Sequence, residues 1–214
     1  MIRSFVLAVL MIGLVAAPAL AEDGPGTKVV KQANATIKSL LKQKASTTKV
    51  TTGIRDFIDI DELGKRALVD HWAKLKPGEQ KEYLEVLRAL IEDNYKRGAA
   101  ANVDYKVKYT GETTTATGEI VVTTEVKAKR KGRPLTIAID YVLVKETGGK
   151  LKAFDIKTDG VGLVENYRAQ FNKIIDKDGV AGLIEKMKKK QAEGAAAATD
   201  KPAAGTGTGA KTGG

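Results

Sequence analysis

The chain changes its hydrophobic period twice, and this constrains its fold more than any other feature. Apolar residues recur at intervals of three and four over 29–41 and 63–95, as on the buried side of amphipathic helices. Between 103 and 158 they alternate with polar residues, as in strands with one wet face. Helical spacing returns over 163–176 and 180–191. We therefore predict an α+β fold, with helices packed on one face of a twisted four-stranded antiparallel sheet.

Three helices are predicted before the strands. The first spans about 26–45 and is ended by the polar run 46–53. Asp59 lies three residues before Glu62, which is the spacing of a capping box at the start of a second helix. Pro77 stands where the first turn of a third helix should begin. The single apolar sheet face under these helices fits either a solid core or an open pocket.

Both ends of the chain are predicted to be appendages. Residues 1–21 have an early positive charge, an apolar run of 11 residues at 5–15 and a small-residue cleavage site, so we expect a signal peptide cleaved after Ala21 and export to the periplasm. The segment 194–214 is rich in Ala, Gly and Thr, and we expect a disordered tail. One folded domain, residues 22–193, remains.

Composition excludes much enzymology. The chain has no cysteine, so thiolate nucleophiles, zinc ribbons, disulfides and a lipoprotein anchor are excluded. One histidine and few serines leave little material for a Ser-His triad or a multi-histidine metal site, and we predict a protein that is not an enzyme and needs no metal or cofactor. The net charge is +10, and loss of Arg3 with the signal peptide leaves +9. On an exported chain this charge suits an anionic lipid surface or an acidic protein rather than nucleic acid.

Three acid or base candidates keep an enzymatic alternative open. His71 lies beside Trp72 on an apolar helix face, where packing or capping is the more common role. Asp140 has the parity opposite to its apolar strand neighbours and should face water. Asp155 has no clear parity, and a pocket beneath a curved sheet could raise the pKa of such a carboxyl group and make it a base.

A cluster of cations marks one predicted hairpin. It consists of Lys127, Lys129, Arg130, Lys131 and Arg133. A solvated tip is the simpler interpretation. The functional interpretation is docking to phosphate headgroups or to an acidic partner.

Short motifs in a fixed order connect the chain to a known family. In the first half they are DFIDIDEL (56–63), KRAL (65–68), HW (71–72) and LKP (75–77). In the second half they are FDI (154–156), DGV (159–161), LV (163–164), YR (167–168), QF (170–171), GV (179–180) and LI (183–184). This ordered set resembles the MlaC, or toluene-tolerance, family of periplasmic phospholipid-binding proteins. Leu151, Gly162 and Lys76 depart from residues that are common in the family.

The resemblance implies a soluble shuttle between the inner and outer membranes. Its cargo would be a glycerophospholipid, with the acyl chains between the helices and the sheet. Its partners would be an MlaD-containing inner-membrane ABC transport complex and an MlaA-type outer-membrane lipoprotein. A carrier need not oligomerise, so we expect a monomer. The rival hypotheses are a periplasmic enzyme that uses Asp155 or His71 as acid or base, and a periplasmic chaperone for apolar segments.

The lipid-binding candidates are apolar residues on the inner parity of the strands and on the helix stripes, although core packing explains each of them equally well. Those on the strands are Tyr105, Val107, Ile120, Val122, Ile137, Ile139 and Tyr141. Those on the helices are Leu68, Trp72, Leu87, Ile91, Val164, Tyr167 and Phe171. Arg168 is a weak candidate for the headgroup phosphate, with a surface salt bridge as its simpler role.

Overall fold

Helices followed by an antiparallel meander and a closing helix make up the computed structural model, which describes residues 22–101, 105–130 and 132–200. The α+β class is confirmed. The elements, in chain order, are α1 (Pro25–Lys42), α2 (Thr47–Phe57), α3 (Ile60–Leu68), a 3-10 helix (Val69–Lys74), α4 (Pro77–Ala101), β1 (Lys106–Thr114), β2 (Ile120–Arg130), β3 (Arg133–Lys145), β4 (Leu151–Thr158), β5 (Val161–Gly162) and α5 (Leu163–Asp200). The expected signal peptide, 1–21, lies outside the described residues.

Helix α2 corrects the prediction that the run 46–53 breaks helical structure. Ser46 is its N-cap and accepts a hydrogen bond from the Lys49 amide. Val50, Ile54 and Phe57 are buried at spacings of four and three, which is one face of a helix. The threonines between them gave the segment its polar appearance.

The connection between α2 and α3 is fastened to the sheet. The predicted cap of α3 is confirmed, since the Asp59 carboxylate accepts a hydrogen bond of 2.9 Å from the Glu62 amide. The Asp59 amide in turn donates to the Ala153 carbonyl of β4 at 2.9 Å, and Ile58 forms a parallel bridge with Ala153. The end of α2 is therefore fixed on β4.

The sheet has the order β1-β2-β3-β4-β5, with antiparallel neighbours throughout. The prediction of four strands missed β5, a two-residue strand that pairs with the end of β4. Asp159 and Gly160 have positive φ values of 48° and 86° and form the turn before it. Strand β5 then leads directly into α5.

The helices pack on one another and on the sheet in a definite order. Helix α1 lies on β1, β2 and β4, while α2, α3 and α5 contact β4. Helix α4 packs on α2, α3 and α5. The largest fully buried side chains of the resulting core are Val30, Ile54, Leu63, Leu68, Tyr83, Leu87, Val122, Leu143 and Leu183.

A half-buried carboxylate ties the β1–β2 turn to α3. Glu119 accepts hydrogen bonds from the hydroxyls of Thr117 and Thr115, and from Arg66 at 2.9 Å. These donors lower the pKa of Glu119 to about 2. The Arg66 guanidinium also lies 4.0 Å from the centre of the Phe154 ring on β4. One side chain therefore joins a helix to two parts of the sheet.

Helix α5 is interrupted at Gly179, which has φ 69° and ψ 179°. The prediction of two closing helices, 163–176 and 180–191, matches the two sides of this interruption. The second side continues to Asp200, past Gly194, where the disordered tail was predicted to start. The run of alanines there has the highest intrinsic helix propensity. Residues 201–214 lie outside the described part of the chain.

Replacing Gly179 with alanine should lower the free energy of unfolding by about 1–3 kcal/mol, because this φ/ψ region is nearly restricted to glycine. Gly78→Ala is the matched control. Space is open around a Cβ at either position, but Gly78 lies in the first turn of α4 without a positive φ. Urea unfolding of the two variants measures the difference, and equal midpoints would contradict the strain argument.

Candidate functional site

The inner face of the sheet, on which α1 packs, is apolar along its length, but its burial falls from one end to the other. At the β1–β2 turn end, Val122 and Leu143 have no exposed surface. At the β2–β3 turn end, Ile139 and Ile137 are half-buried and Leu135 is 37% exposed. All five residues share one face, because the ladder pairs them with inner-face residues of the next strand. One end of the face is core and the other is partly open.

A cavity of about 450 Å³ opens between α1 and β1 at the less buried end. It is lined by Lys31, Asn34, Ala35, Lys38, Tyr105, Lys106, Val107 and Tyr109. Four of these residues, at 31, 34, 35 and 38, follow the spacing of a single helix face. The cavity therefore combines an apolar sheet edge with a polar, cationic helix face.

Two lysines of α1 lie over tyrosine rings, one on β1 and one directly before it. Lys31 Nζ lies 5.1 Å from the Tyr109 ring centre, and Lys38 Nζ lies 4.8 Å from the Tyr105 ring centre. Lys38 also donates a 2.7 Å hydrogen bond to the Tyr105 carbonyl. Burial is the larger cause that raises the pKa of Tyr105, and the nearby Tyr109 is the smaller one, so this phenol stays neutral. The arrangement places two cations at the edge of the cavity, about two helical turns apart.

Lys31 and Lys38 are not among the residues that the sequence analysis named, and its headgroup candidate is Arg168. The i, i+7 spacing of the two lysines was visible, but lysines on a helix are typical of a solvated face. Arg168 is exposed, donates to the Arg66 carbonyl at 3.0 Å and lines neither of the two cavities described here.

A second cavity of about 460 Å³ lies on the other side of α1. It is lined by Lys28, Val29, Gln32, Ala33, Thr36, Gly53, Asp56, Phe57, Lys150 and Leu151. Helix α1 therefore separates two cavities of nearly equal size.

The N-terminal end of α1 is anchored to the sheet by Glu112 of β1. Its carboxylate accepts hydrogen bonds from the amides of Gly26, at 3.1 Å, and Thr27, at 2.6 Å. Burial raises the pKa of Glu112, but the hydrogen bonds from Thr27 and Gly26 outweigh it and lower the pKa overall. A Cβ at Gly26 would lie 2.6 Å from Ile120, so glycine permits this close approach of helix and sheet.

The structure brings the strand candidates together on the inner face. Tyr105 and Val107 line the first cavity. Val122 and Tyr141 are paired across β2 and β3 and are buried, and Tyr141 contacts the Phe57 ring at 5.7 Å. The remaining strand candidates, Ile120, Ile137 and Ile139, are half-buried on the same face.

The helix candidates form a separate group among the helices. Phe171 stacks on Tyr167 with ring centres 5.3 Å apart and meets the edge of Tyr83 at 5.9 Å. Tyr83 also contacts Trp72, with ring centres 6.4 Å apart, and its hydroxyl donates to the Gly64 carbonyl. The other helix candidates, Leu68, Leu87, Ile91 and Val164, are all buried. The sequence analysis did not select Tyr83, the residue at the centre of this aromatic cluster.

The three acid and base candidates lie in different environments: a helix cap, the outer face of the sheet and the 3-10 helix. Asp155 is 7% exposed and accepts a 3.1 Å hydrogen bond from the Val164 amide at the start of α5, so it caps that helix. Asp140 is paired with Thr123 and Lys157 on the outer face, as its parity predicted. His71 is half-buried in the 3-10 helix. Within the described ranges, no three His, Asp or Glu residues are grouped as a metal site requires.

None of the helices within the described ranges combines the length and the apolar character needed to cross a bilayer.

Comparisons with known proteins agree with this architecture. A protein-family model described as MlaC protein matches residues 27–189. A solved structure from Ralstonia solanacearum, a phospholipid-binding protein in complex with a phospholipid, is similar with a TM-score of 0.65 and 24% sequence identity. The similarity covers 78% of this chain and 97% of that chain, and at this identity it establishes a shared fold. A search of curated proteins finds no match.

Removing the charge of Glu112 should loosen α1. We expect Glu112→Gln to lower the free energy of unfolding by about 1–2 kcal/mol at pH 7, because the cap is charge-assisted. The lowered pKa means that this stabilisation is complete above the unfolded-state pKa, about 4.3, and is lost as the pH falls through the folded-state pKa. Urea unfolding at pH 7 and pH 3 should therefore show a smaller difference from wild type at pH 3 than at pH 7.

The control for this prediction is Glu125→Gln, on the outer face of β2 opposite Lys108 and Ala138. It should change the unfolding free energy little at either pH. An equal effect of the two substitutions at pH 7 would show that the Glu112 anchor does not hold α1.

Proposed function

Because the chain belongs to the MlaC family, we propose that it is a soluble periplasmic carrier that buries phospholipid acyl chains and shuttles phospholipid between the inner and outer membranes. The observation that carries the proposal is the partly open apolar end of the inner sheet face, beside the cavity that Lys31 and Lys38 flank. The phospholipid bound by the Ralstonia neighbour supports it. Family and neighbour together favour a binding and transport protein over an enzyme.

A carrier is needed because acyl chains are costly to expose to water. Two chains contain about 30 methylenes, and at about 0.8 kcal/mol each their exposure costs roughly 24 kcal/mol. The concentration of free lipid monomers is therefore negligible. A protein that transports the lipid must cover the chains while its phosphate stays hydrated, and no covalent step is required.

The acyl chains would lie between α1 and the inner face of the sheet. The cavities on the two sides of α1, about 450 and 460 Å³, each fall within the usual range of ligand pockets, about 300–1,000 Å³. Joining them requires α1 to move away from the inner face. The strand candidates would then contact the chains, and the buried helix candidates would contact them only if the helical layer also separates.

The headgroup phosphate would lie at the first cavity, between Lys31 and Lys38. Both ammonium groups are at its edge, and α1 spacing puts them two turns apart on one face. Lys31 also pairs with Asp23 at 2.5 Å, so a phosphate would compete with that carboxylate. This position replaces Arg168 as the proposed headgroup contact.

The remaining parts of the proposal concern export and partners. Residues 1–21 would direct the chain to the periplasm and be removed after Ala21, leaving the domain 22–193 and the segment that follows it. The carrier, a monomer, would exchange lipid with an MlaD-containing inner-membrane complex and an MlaA-type outer-membrane lipoprotein.

Organic-solvent extraction of the purified protein, followed by mass spectrometry, tests the cargo. We expect about one phospholipid per chain in the wild type. Ile139→Glu should reduce that load more than roughly tenfold, because it places a carboxylate against the acyl chains. Val122→Glu should do the same, but Val122 is fully buried and its variant also tests folding.

The matched control is Thr136→Glu, which lies on the same strand but on the outer face opposite Lys127. It should keep the full phospholipid load. Folded Ile139→Glu protein that retains as much phospholipid as Thr136→Glu would refute the assignment of the inner face.

Lys31→Gln/Lys38→Gln should weaken binding of phosphatidylglycerol about three- to tenfold, because two charge-assisted contacts to phosphate are lost at a partly hydrated site. Competition against a fluorescent phospholipid measures the change. The control is Lys49→Gln/Lys74→Gln, two exposed lysines away from both cavities. Equal affinities of the two double variants would rule out this headgroup position.

A further inference from the structure

The β2–β3 hairpin projects beyond the strands on either side of it. Pairing between β1 and β2 reaches Lys106–Lys127, and pairing between β3 and β4 reaches Ile139–Thr158. Beyond these pairs, β2 and β3 continue as a two-stranded ribbon from the pair Ala128–Leu135 to the pair Arg130–Arg133. At the hairpin tip, β2 and β3 therefore have no neighbouring strand, and both faces of the ribbon could contact another surface.

The outer face of this ribbon is positively charged. Lys127 and Lys129 are exposed on it, and exposed Lys106 stands directly opposite Lys127. Like charges that face each other across a ladder destabilise the pairing. Within 22–101, 105–130 and 132–200, no acidic side chain forms an ion pair with these lysines or with exposed Arg133. Among the described residues these cations therefore form a patch without ion-paired carboxylates, and Glu125, on the same face, stands opposite Lys108.

The inner face of the same ribbon carries an exposed leucine. Leu135 is 37% exposed, and Pro134 before it is also exposed. The hairpin tip thus carries cations on one face and an exposed leucine on the other. Cations combined with an exposed apolar side chain suit a membrane interface, where charges meet the phosphates and the apolar group enters between the headgroups. An acidic protein surface would satisfy the lysines equally well but gives no specific reason for the leucine.

We propose that the β2–β3 hairpin docks onto an anionic phospholipid bilayer. Lys106, Lys127, Lys129 and Arg133 contact headgroup phosphates, and Leu135 enters the headgroup region. Of these residues only Lys106 also lines the first cavity. Lys127, Lys129, Arg133 and Leu135 line neither cavity, so the inference goes beyond the proposed function. Docking through this hairpin turns the less buried end of the inner face, with Ile137, toward the membrane.

Co-sedimentation with vesicles tests the inference. The wild type should bind vesicles of phosphatidylcholine with 30% phosphatidylglycerol, but not pure phosphatidylcholine vesicles, and binding should weaken in 0.5 M salt. Lys127→Gln/Lys129→Gln should bind about 25-fold more weakly, because each lysine at an anionic surface contributes roughly fivefold. Leu135→Ser should bind more weakly at both salt concentrations, and Lys49→Gln/Lys74→Gln should bind like the wild type.

Two outcomes would overturn the inference. One is equal vesicle binding by the hairpin and control double variants. The other is wild-type protein that does not bind anionic vesicles but binds beads coated with an acidic peptide. That result would identify the patch as a binding surface for an acidic protein. Phospholipid extraction of the same samples separates the two proposals, since the hairpin variants should keep their load. Wild-type protein that contains no bound phospholipid would count against the carrier function and not against docking through the hairpin.

Discussion

The apolar inner face of the sheet must be shielded from water, and the helices shield it unevenly. Near the β1–β2 turn, α1 approaches so closely that only glycine fits at position 26, and Val122 and Leu143 are completely buried there. Near the β2–β3 turn, residues of the same face line a cavity, and the face ends in an exposed leucine. A uniformly covered sheet would be an inert core. Under the proposed function, the uneven cover would give this fold a place for an amphiphile.

Most of the fold follows from the two hydrophobic periods. Alternation over 103–158 fixed the inner parity of β2 and β3, and the Asp59–Glu62 spacing located the start of α3. The errors have physical causes. Threonines concealed the apolar face of α2, and β5 is too short to show a period. Burial of three residues spaced over eight positions outweighed the weak helix propensity of threonine.

The candidate site was only partly predictable. Strand parity selected the inner-face residues, because side chains alternate strictly in a sheet. A helical stripe carries no such information about its partner, and the stripe residues Trp72, Tyr167 and Phe171 meet other helices through Tyr83. Lys31 and Lys38 differ from other surface lysines only because they lie over two tyrosine rings about 70 residues away in sequence. Pairing of that kind is tertiary and leaves no local signal.

The two attachments of the α1–α2 pair have a mechanical consequence. Glu112 holds the first turn of α1, and Ala153 holds the residues after α2, so the pair is pinned at both corners of its base while the bend at 43–46 is its far edge. An 18-residue helix is about 27 Å long, so a swing of about 15° at the base lifts the far edge by roughly 7 Å. A rigid swing about these attachments would open widest at the bend, and it would have to break the hydrogen bond from Lys38 to the Tyr105 carbonyl near that end.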